Sequence, residues 1–158
     1  MTGAVIGLRK IIWTALGAAW LACAAACGVP DEGPSMRPGQ DCLSCHNGDR
    51  AETWTVAGTV VSDPNAPIDA AIEGAQVIVT DANQNTLTLT TNSVGNFYTA
   101  EPLAFPIAVQ IQRGTFRMQM AGSPSSGSCN TCHTIPSNGS GAPGRLFVPY
   151  QQLSRTPR

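Results

Sequence analysis

Two copies of one short cysteine–histidine pattern hold most of the reactive side chains of this 158-residue sequence. The first copy runs from Cys42 to His46 and the second from Cys129 to His133, and both read Cys-x-x-Cys-His. Together they contain both histidines of the chain and four of its six cysteines. Thiolates and neutral imidazoles are nucleophiles and metal ligands. The repeated pattern therefore indicates two sites that each hold a metal or a metal-containing cofactor.

The spacing inside each copy suits covalent attachment of haem and resembles the sites of c-type cytochromes. Two cysteines three positions apart on one turn of chain reach the two vinyl-derived carbons at one porphyrin edge, and the next histidine offers its imidazole to iron. We therefore expect two covalent haems of the c type. Their porphyrins would be bound by Cys42, Cys45, Cys129 and Cys132, and His46 and His133 would be the proximal iron ligands.

Other roles exist for paired cysteines. Outside the cytoplasm a Cys-x-x-Cys pair forms disulfides. The four cysteines could also build one zinc site, although the usual separation between the pairs is much shorter than here. A thioredoxin-like redox pair needs a βαβ context, which the sequence lacks. Two copies that use both histidines favour haem over these alternatives.

The sixth iron ligand is an open question in the sequence, because a third histidine is absent and bis-histidine ligation of both irons by one chain is excluded. Three methionines are candidates: Met36, six residues before Cys42, and Met118 and Met120, which share a strand face with Phe116. Filling the core is the competing role for the last two. An iron without a sixth protein ligand would instead bind small molecules or peroxide.

The first residues resemble a bacterial export signal. Arg9 and Lys10 precede an apolar run from Ile11 to Ala26, which is shorter than the roughly 20 residues of a membrane-spanning helix. The run ends in small residues before Cys27, as in the lipobox of lipoproteins, where the cysteine receives lipid. Cys23 is the second choice for lipidation, and plain secretion or an uncleaved anchor are the alternatives.

Composition excludes two broad classes. Apolar residues make up 42% and charged residues 12% of the chain, so a highly charged disordered protein is not expected. The formal net charge is −1 and basic residues form no stripe, so nothing points to nucleic acid.

The middle of the chain alternates short β-rich runs with turns, which predicts an all-β fold. Six strands are expected, with a further one near the C-terminus: Trp54–Val61, Ala75–Thr80, Thr86–Thr91, Asn96–Thr99, Ile107–Gln112, Thr115–Met120 and Arg145–Tyr150. Because six strands running alternately up and down return to the starting end, we expect both motifs at one end of the sandwich, close enough for electron exchange. Trp54 and Phe147 are candidates for packing on a haem, with core packing as the alternative.

Three stretches resemble the carboxypeptidase regulatory-like domain, namely residues 57–61, 72–81 and 91–97. Two positions depart from the pattern: Gln84-Asn85 stand where a glycine is common, and Asn92 stands where an aspartate is common. The resemblance implies a small antiparallel prealbumin-like sandwich flanked by loop-borne haem-attachment segments. It implies no peptidase activity, because the module is an accessory in that family.

These observations divide the chain into four parts. We expect a lipoprotein signal peptide in residues 1–27, with lipidated Cys27, and a tether with the first motif in residues 28–53. The carboxypeptidase regulatory-like sandwich would occupy residues 54–121. Residues 122–158 would form a Gly/Ser/Pro-rich segment with the second motif and the last strand.

The leading functional hypothesis is a dihaem c-type cytochrome that transfers electrons at the bacterial cell envelope. It would be an electron carrier and not an enzyme, anchored to the membrane by lipid outside the cytoplasm. Its partners would be redox proteins in the envelope or outside the cell. One alternative is a non-haem binding or structural sandwich whose Cys-x-x-Cys pairs form disulfides. Another is a haem enzyme that acts on peroxide, although the chain has no spare histidine for distal acid–base chemistry.

Overall fold

The structure is a computed structural model that describes residues 33–150. The expected signal peptide, with Cys23 and Cys27, lies outside the described residues, as do the last eight residues of the chain. Across residues 33–150 no helix has the length and apolar character needed to cross a membrane.

Short strands dominate the described part of the chain, so the predicted all-β class is confirmed. Six strands fall where the alternation predicted them, with ends that differ by one or two residues. The expected last strand is reduced to two residues. The strands are β1 (Val56–Val61), β2 (Gln76–Thr80), β3 (Thr86–Thr90), β4 (Asn96–Thr99), β5 (Ala108–Arg113), β6 (Phe116–Gln119) and β7 (Leu146–Phe147). One α-helical turn, α1 (Cys129–Cys132), and two 3-10 turns, Gly33–Ser35 and Cys42–Ser44, complete the regular structure.

The strands form two sheets, one with the order β4-β1-β7 and the other with the order β3-β2-β5-β6. Neighbouring strands are antiparallel, except that β7 pairs with β1 in parallel. In the larger sheet β2 pairs along its whole length with both β3 and β5. The inner faces are apolar at every second residue, for example at Val77 and Val79 of β2 and at Val109 and Ile111 of β5, which are all buried.

Strand β1 differs from the others because all six of its residues are buried. Val56 and Val60 belong to the apolar core, so the alternate residues need cover on the other side. The segments that carry the two motifs supply this cover. The Thr59 amide donates to the side-chain oxygen of Asn130 (3.0 Å), and the Thr59 hydroxyl accepts from the Gly39 amide (2.8 Å). Strand β1 is therefore the element that positions both motifs.

The turns at the two atypical positions of the sequence are stabilised by side chains. Asp81 Oδ1 accepts from the amides of Asn83 and Asn85, which closes the β2–β3 hairpin. Gln84 in this hairpin has a φ of 66°, the left-handed conformation that favours glycine. Asn92 makes the equivalent local bonds between β3 and β4, an arrangement that an aspartate would also form.

Candidate functional site

The first motif begins with a tight 3-10 turn. The Asp41 carboxylate caps this turn by accepting from the Leu43 amide (3.2 Å), and the Cys42 carbonyl accepts from the amides of Cys45 (3.2 Å) and His46 (2.9 Å). The backbone therefore turns once between the first cysteine and the histidine. This arrangement is more regular than the loop expected from the sequence.

The second motif forms one turn of α-helix, α1, over Cys129–Cys132. The amide of His133 donates to the Cys129 carbonyl (2.9 Å), which repeats the closure seen at the first motif. The two motifs thus share a local fold, in which the cysteines lie one turn apart and the histidine follows directly. This is the placement that attachment to one porphyrin edge requires.

His46 is buried, with 9% of its surface exposed. Its ring stacks on Trp54, with a centroid distance of 3.3 Å and an interplanar angle of 6°, and Trp54 stacks in turn on Tyr98. The ring nitrogens have two different neighbours. Nδ1 lies 3.0 Å from the carbonyl oxygen of Glu52, and Nε2 lies 3.2 Å from the sulfur of Met36.

The His133 ring has the same arrangement at Nδ1 as the His46 ring, but its Nε2 lacks a partner. Nδ1 lies 3.0 Å from the carbonyl oxygen of Gly144. Nε2 is buried and has no hydrogen-bond partner among residues 33–150. Burial lowers the pKa of the His133 imidazole, although the Gly144 carbonyl acts in the opposite direction. The neutral ring, which is the form that binds a metal, is therefore favoured.

The two histidines meet the requirement for iron ligands. When Nδ1 carries the proton and donates it to a backbone carbonyl, the tautomer and the ring orientation are fixed and the Nε2 lone pair is left for a metal. Glu52 and Gly144 supply these carbonyls for His46 and His133. A buried nitrogen without a partner is costly, and a metal at Nε2 of His133 would remove that cost. His133 therefore has an Nε2 that fits an iron ligand, whereas Nε2 of His46 is in contact with the Met36 sulfur and would have to leave it to bind iron.

The four motif cysteines differ in state. Cys42, Cys129 and Cys132 are free thiols, whereas Cys45 is disulfide-bonded. The alternative in which each Cys-x-x-Cys pair closes its own disulfide is therefore wrong, because one or both cysteines of each pair are free. Bond formation between Cys45 and a porphyrin needs the reduced thiol, so this disulfide competes with haem attachment.

Burial controls the chemistry of two of the free thiols. Cys129 packs against the apolar core, and burial, followed by the nearby Cys42, raises the pKa of its thiol to about 12. The pKa of Cys42 is also raised, first by burial and then by the carboxylate of Asp41. Cys132 is exposed.

The two motifs contact each other, which is the proximity that the even number of strands predicted. The Ser128 hydroxyl donates to the Asp41 carboxylate. Each of these two residues directly precedes the first cysteine of its motif. The side-chain amide of Asn130 donates to the Gln40 carbonyl (2.8 Å). The Cys42 thiol is also close enough to Cys129 to raise the pKa of the Cys129 thiol. We refer to residues 40–46 and 128–133 together as the motif pair.

Residues 33–40, which were expected to belong to a tether, are hydrogen-bonded to the sandwich. Asn96 donates its side-chain amide to the Met36 carbonyl (2.7 Å), and Asn92 does the same to the Pro34 carbonyl. Sequence reasoning singled out neither Asn96 nor the buried Asn130 as functional. For Asn130, the sequence did offer one indication, because this residue lies between the two cysteines of the second motif.

The other two methionines lie in the larger sheet. Met118 pairs with Ile111 across β5 and β6, and Met120 packs against the core. Neither is hydrogen-bonded to His46 or His133, which favours core filling for both. Phe147 contacts Phe116 at 6.4 Å between ring centroids. In the described part of the chain no three His, Cys, Asp or Glu side chains are grouped to hold a metal ion, so the geometry gives no support to a four-cysteine zinc site.

Comparison of the chain with protein-family models, curated proteins and solved structures found no match. The function is therefore argued from the motif pair and its surroundings.

Proposed function

We propose that the protein is a dihaem c-type cytochrome that transfers electrons. One observation carries the proposal: each motif is a single turn whose histidine presents Nδ1 to a backbone carbonyl and Nε2 away from it. At His133 that second nitrogen is buried without a partner among the described side chains and backbone. A loop closed by a disulfide does not require a histidine that is held in this orientation.

Each haem would have its own set of ligands. Cys42, Cys45 and His46 would hold the first, and the corresponding residues of the second motif would hold the second, namely Cys129, Cys132 and His133. Haem supplies reversible one-electron chemistry at iron. The protein residues fix the two imidazoles, shield them from water, and hold the two attachment turns against strand β1.

We also propose that the scaffold is a carboxypeptidase regulatory-like, prealbumin-like sandwich. The proposal is supported by the arrangement of three strands facing four. Two of the three resembling stretches coincide with β1 and β2, and the third spans the turn between β3 and β4. In this proposal the sandwich carries the cofactors and performs no chemistry itself.

The proposed location is the bacterial cell envelope, outside the cytoplasm. The proposal rests on the signal-like N-terminal sequence, with Cys27 as the lipidated residue and Cys23 as the second choice. Covalent attachment of c-type haem outside the cytoplasm agrees with it. Redox proteins of the envelope or the cell exterior would be the partners.

The deciding experiment is the haem content of the full chain, exported from a bacterium with a c-type maturation system. We expect a haem stain that survives a denaturing gel and two haems per chain by absorption after reduction. The paired variants C42A/C45A and C129A/C132A should each retain one haem. Wild-type protein without covalent haem would contradict the proposal.

A non-haem binding sandwich is the second candidate, because Cys45 is disulfide-bonded in the structure. The two candidates predict different masses for the exported protein. Thioether attachment adds two haems to the mass of the chain, whereas disulfides remove two hydrogens each and are reversed by thiol reductants. Intact-protein mass spectrometry before and after reduction therefore separates them.

A further inference from the structure

We propose that the open edge of strand β3 is a self-association surface. It would pair with β3 of a second copy of this chain, antiparallel and with Thr88 on the twofold axis. The four-stranded sheets of the two copies would then join into one continuous sheet. The inference goes beyond the proposed function and does not depend on haem.

Strand β3 lies at one end of the larger sheet, and no strand of residues 33–150 pairs with its outer side. In an antiparallel ladder, every second residue of a strand bonds to the same neighbour. Before β3, the Asn85 carbonyl accepts from the Asp81 amide (2.9 Å). After β3, the Thr91 amide donates to the Ala75 carbonyl (2.9 Å), so the odd-numbered residues face β2. The amides and carbonyls that point to the open side therefore belong to the even-numbered residues, Thr86, Thr88 and Thr90.

The sequence of β3 is palindromic, which makes the edge complementary to itself. It reads Thr-Leu-Thr-Leu-Thr from Thr86 to Thr90. When two copies pair antiparallel about Thr88, each threonine faces a threonine and each leucine faces a leucine. The threonines would form the hydrogen-bonded pairs, in which both backbone bonds are exchanged. A twofold interface requires this kind of self-complementary surface.

The leucines of β3 supply apolar surface to the same contact. Leu87 and Leu89 lie on the inner side of the strand and are only half-buried, although Leu89 packs against the core. In the proposed pairing Leu87 lies opposite Leu89 of the second copy, in a non-hydrogen-bonded pair, where the side chains are closest. Each copy would thus cover apolar surface that the other leaves exposed.

Strand β3 also lacks the features that keep edge strands apart. Protected edges are short, charged, bulged or interrupted by proline. Strand β3 is the longest edge strand of the two described sheets, contains no charged residue and no proline, and pairs with β2 residue for residue. No like charges on the strand would therefore meet at the twofold axis. The opposite edge of the sheet, β6, carries the exposed Arg117, so β3 is the edge that favours a second copy.

The first test is the mass of the full chain, measured by sedimentation equilibrium in mild detergent over a range of protein concentrations. One five-residue strand per copy makes a small interface, so we expect a reversible dimer whose mass approaches twice that of the monomer as the concentration rises. Thr88→Lys should keep the monomer mass through the same range, because two lysines would meet at the axis. Gln119→Lys is the matched control: it adds the same charge at an exposed position of β6 and should dimerise as the wild type does.

Disulfide cross-linking tests the register of the pairing. Thr88→Cys places two thiols across the axis, where the Cα atoms of a hydrogen-bonded pair lie about 5.5 Å apart, within the range of disulfides. Copper–phenanthroline in air would take two electrons and two protons from these thiols and give a dimer band on a non-reducing gel. In the matched control, Thr86→Cys, each new thiol would face Thr90 of the other copy and should give no more dimer than the native cysteines give in the wild type.

Three results would each overturn the inference. The first is a wild type that keeps the monomer mass throughout, whether its edge is then free or taken by a strand of another protein. The second is a Thr88→Lys variant that dimerises as well as the wild type. The third is cross-linking of Thr86→Cys in place of Thr88→Cys. Neither measurement needs haem, so the absence of covalent haem would contradict the proposed function alone.

Discussion

At the scale of single residues, the motif cysteines are chemically unequal although the sequence presents them as equivalent. Cys129 is directed into the core beside Gly58, where a Cβ would lie 2.9 Å from that of Cys129. Cys132, three positions later on the same turn, is exposed. Residues three apart on one turn lie on neighbouring parts of the helix surface, so the difference comes from what packs against each thiol and not from opposite faces of the turn.

This difference predicts the order of thiol alkylation in haem-free protein. With a pKa of about 12, Cys129 is a thiolate in a fraction of about 10⁻⁴ at pH 8. We expect iodoacetamide to modify Cys132 first and Cys129 last, mapped by peptide mass spectrometry. The rate at Cys129 should rise about tenfold per pH unit, since the thiolate is the nucleophile. Equal rates at the two cysteines would show that Cys129 does not pack into the core.

A second residue-scale prediction concerns the β2–β3 hairpin. Gln84 adopts a φ of 66°, which costs a residue with a Cβ about 1–2 kcal/mol. Gln84→Gly removes this cost but loosens the unfolded chain, so we expect a net gain of about 0.5–1 kcal/mol in the free energy of unfolding by urea. The control is Gln119→Gly on strand β6, which should lose about 0.5–1 kcal/mol. Loss of stability in both variants would contradict the turn conformation.

At the scale of elements, the second motif is joined to the sandwich by a backbone contact that only glycine permits. Gly127 accepts from the Ala57 amide (3.0 Å), and a Cβ at Gly127 would lie 1.9 Å from the Thr55 carbonyl oxygen. The neighbouring atoms belong to the backbone of the chain entering β1 and cannot move aside separately. Helix α1 therefore depends on this contact for its position.

Gly127→Ala is accordingly expected to lower the free energy of unfolding by about 2 kcal/mol or more, because the added methyl group overpacks the junction. It should also reduce the haem carried by the second motif, measured on the C42A/C45A background, in which the second motif is the remaining attachment site. Gly122→Ala is the matched control, since a Cβ there meets only the end of Met120 at 3.9 Å. Similar stability of the two variants would argue against the contact.

The positions of the strands could be predicted from the sequence, whereas part of their pairing could not. Alternation of apolar residues located six strands within one or two positions, because the period of two follows from strand geometry alone. The parallel pairing of β7 with β1 could not be predicted, since it joins residues more than 80 positions apart through two paired positions. The motif spacing identified the cysteines and histidines, but the contacts of Met36 with His46 and Asn96 depend on the tertiary structure and could not be predicted.

At the scale of the whole molecule, the two motifs form one unit although 86 residues lie between their histidines, His46 and His133, in the sequence. Asn130 explains how: its side chain accepts from the Thr59 amide and donates to the Gln40 carbonyl and the Thr59 hydroxyl, so it bridges β1 and both motifs. A buried amide with three satisfied bonds is strongly oriented. The haems of the proposed cytochrome would therefore be held at a fixed separation.

This fixed proximity predicts that the two haems interact optically. Chromophores that are close and rigidly oriented couple, so the dihaem protein should show a bisignate Soret band in circular dichroism. The variants C42A/C45A and C129A/C132A each retain a single haem, and neither should show the couplet. The sum of their spectra is the reference: if it reproduces the wild-type spectrum, the haems are not coupled and the motif pair does not bring them together. A couplet that disappears in Asn130→Ala, with both haems retained, would assign the fixed separation to the bridge between β1 and the two motifs.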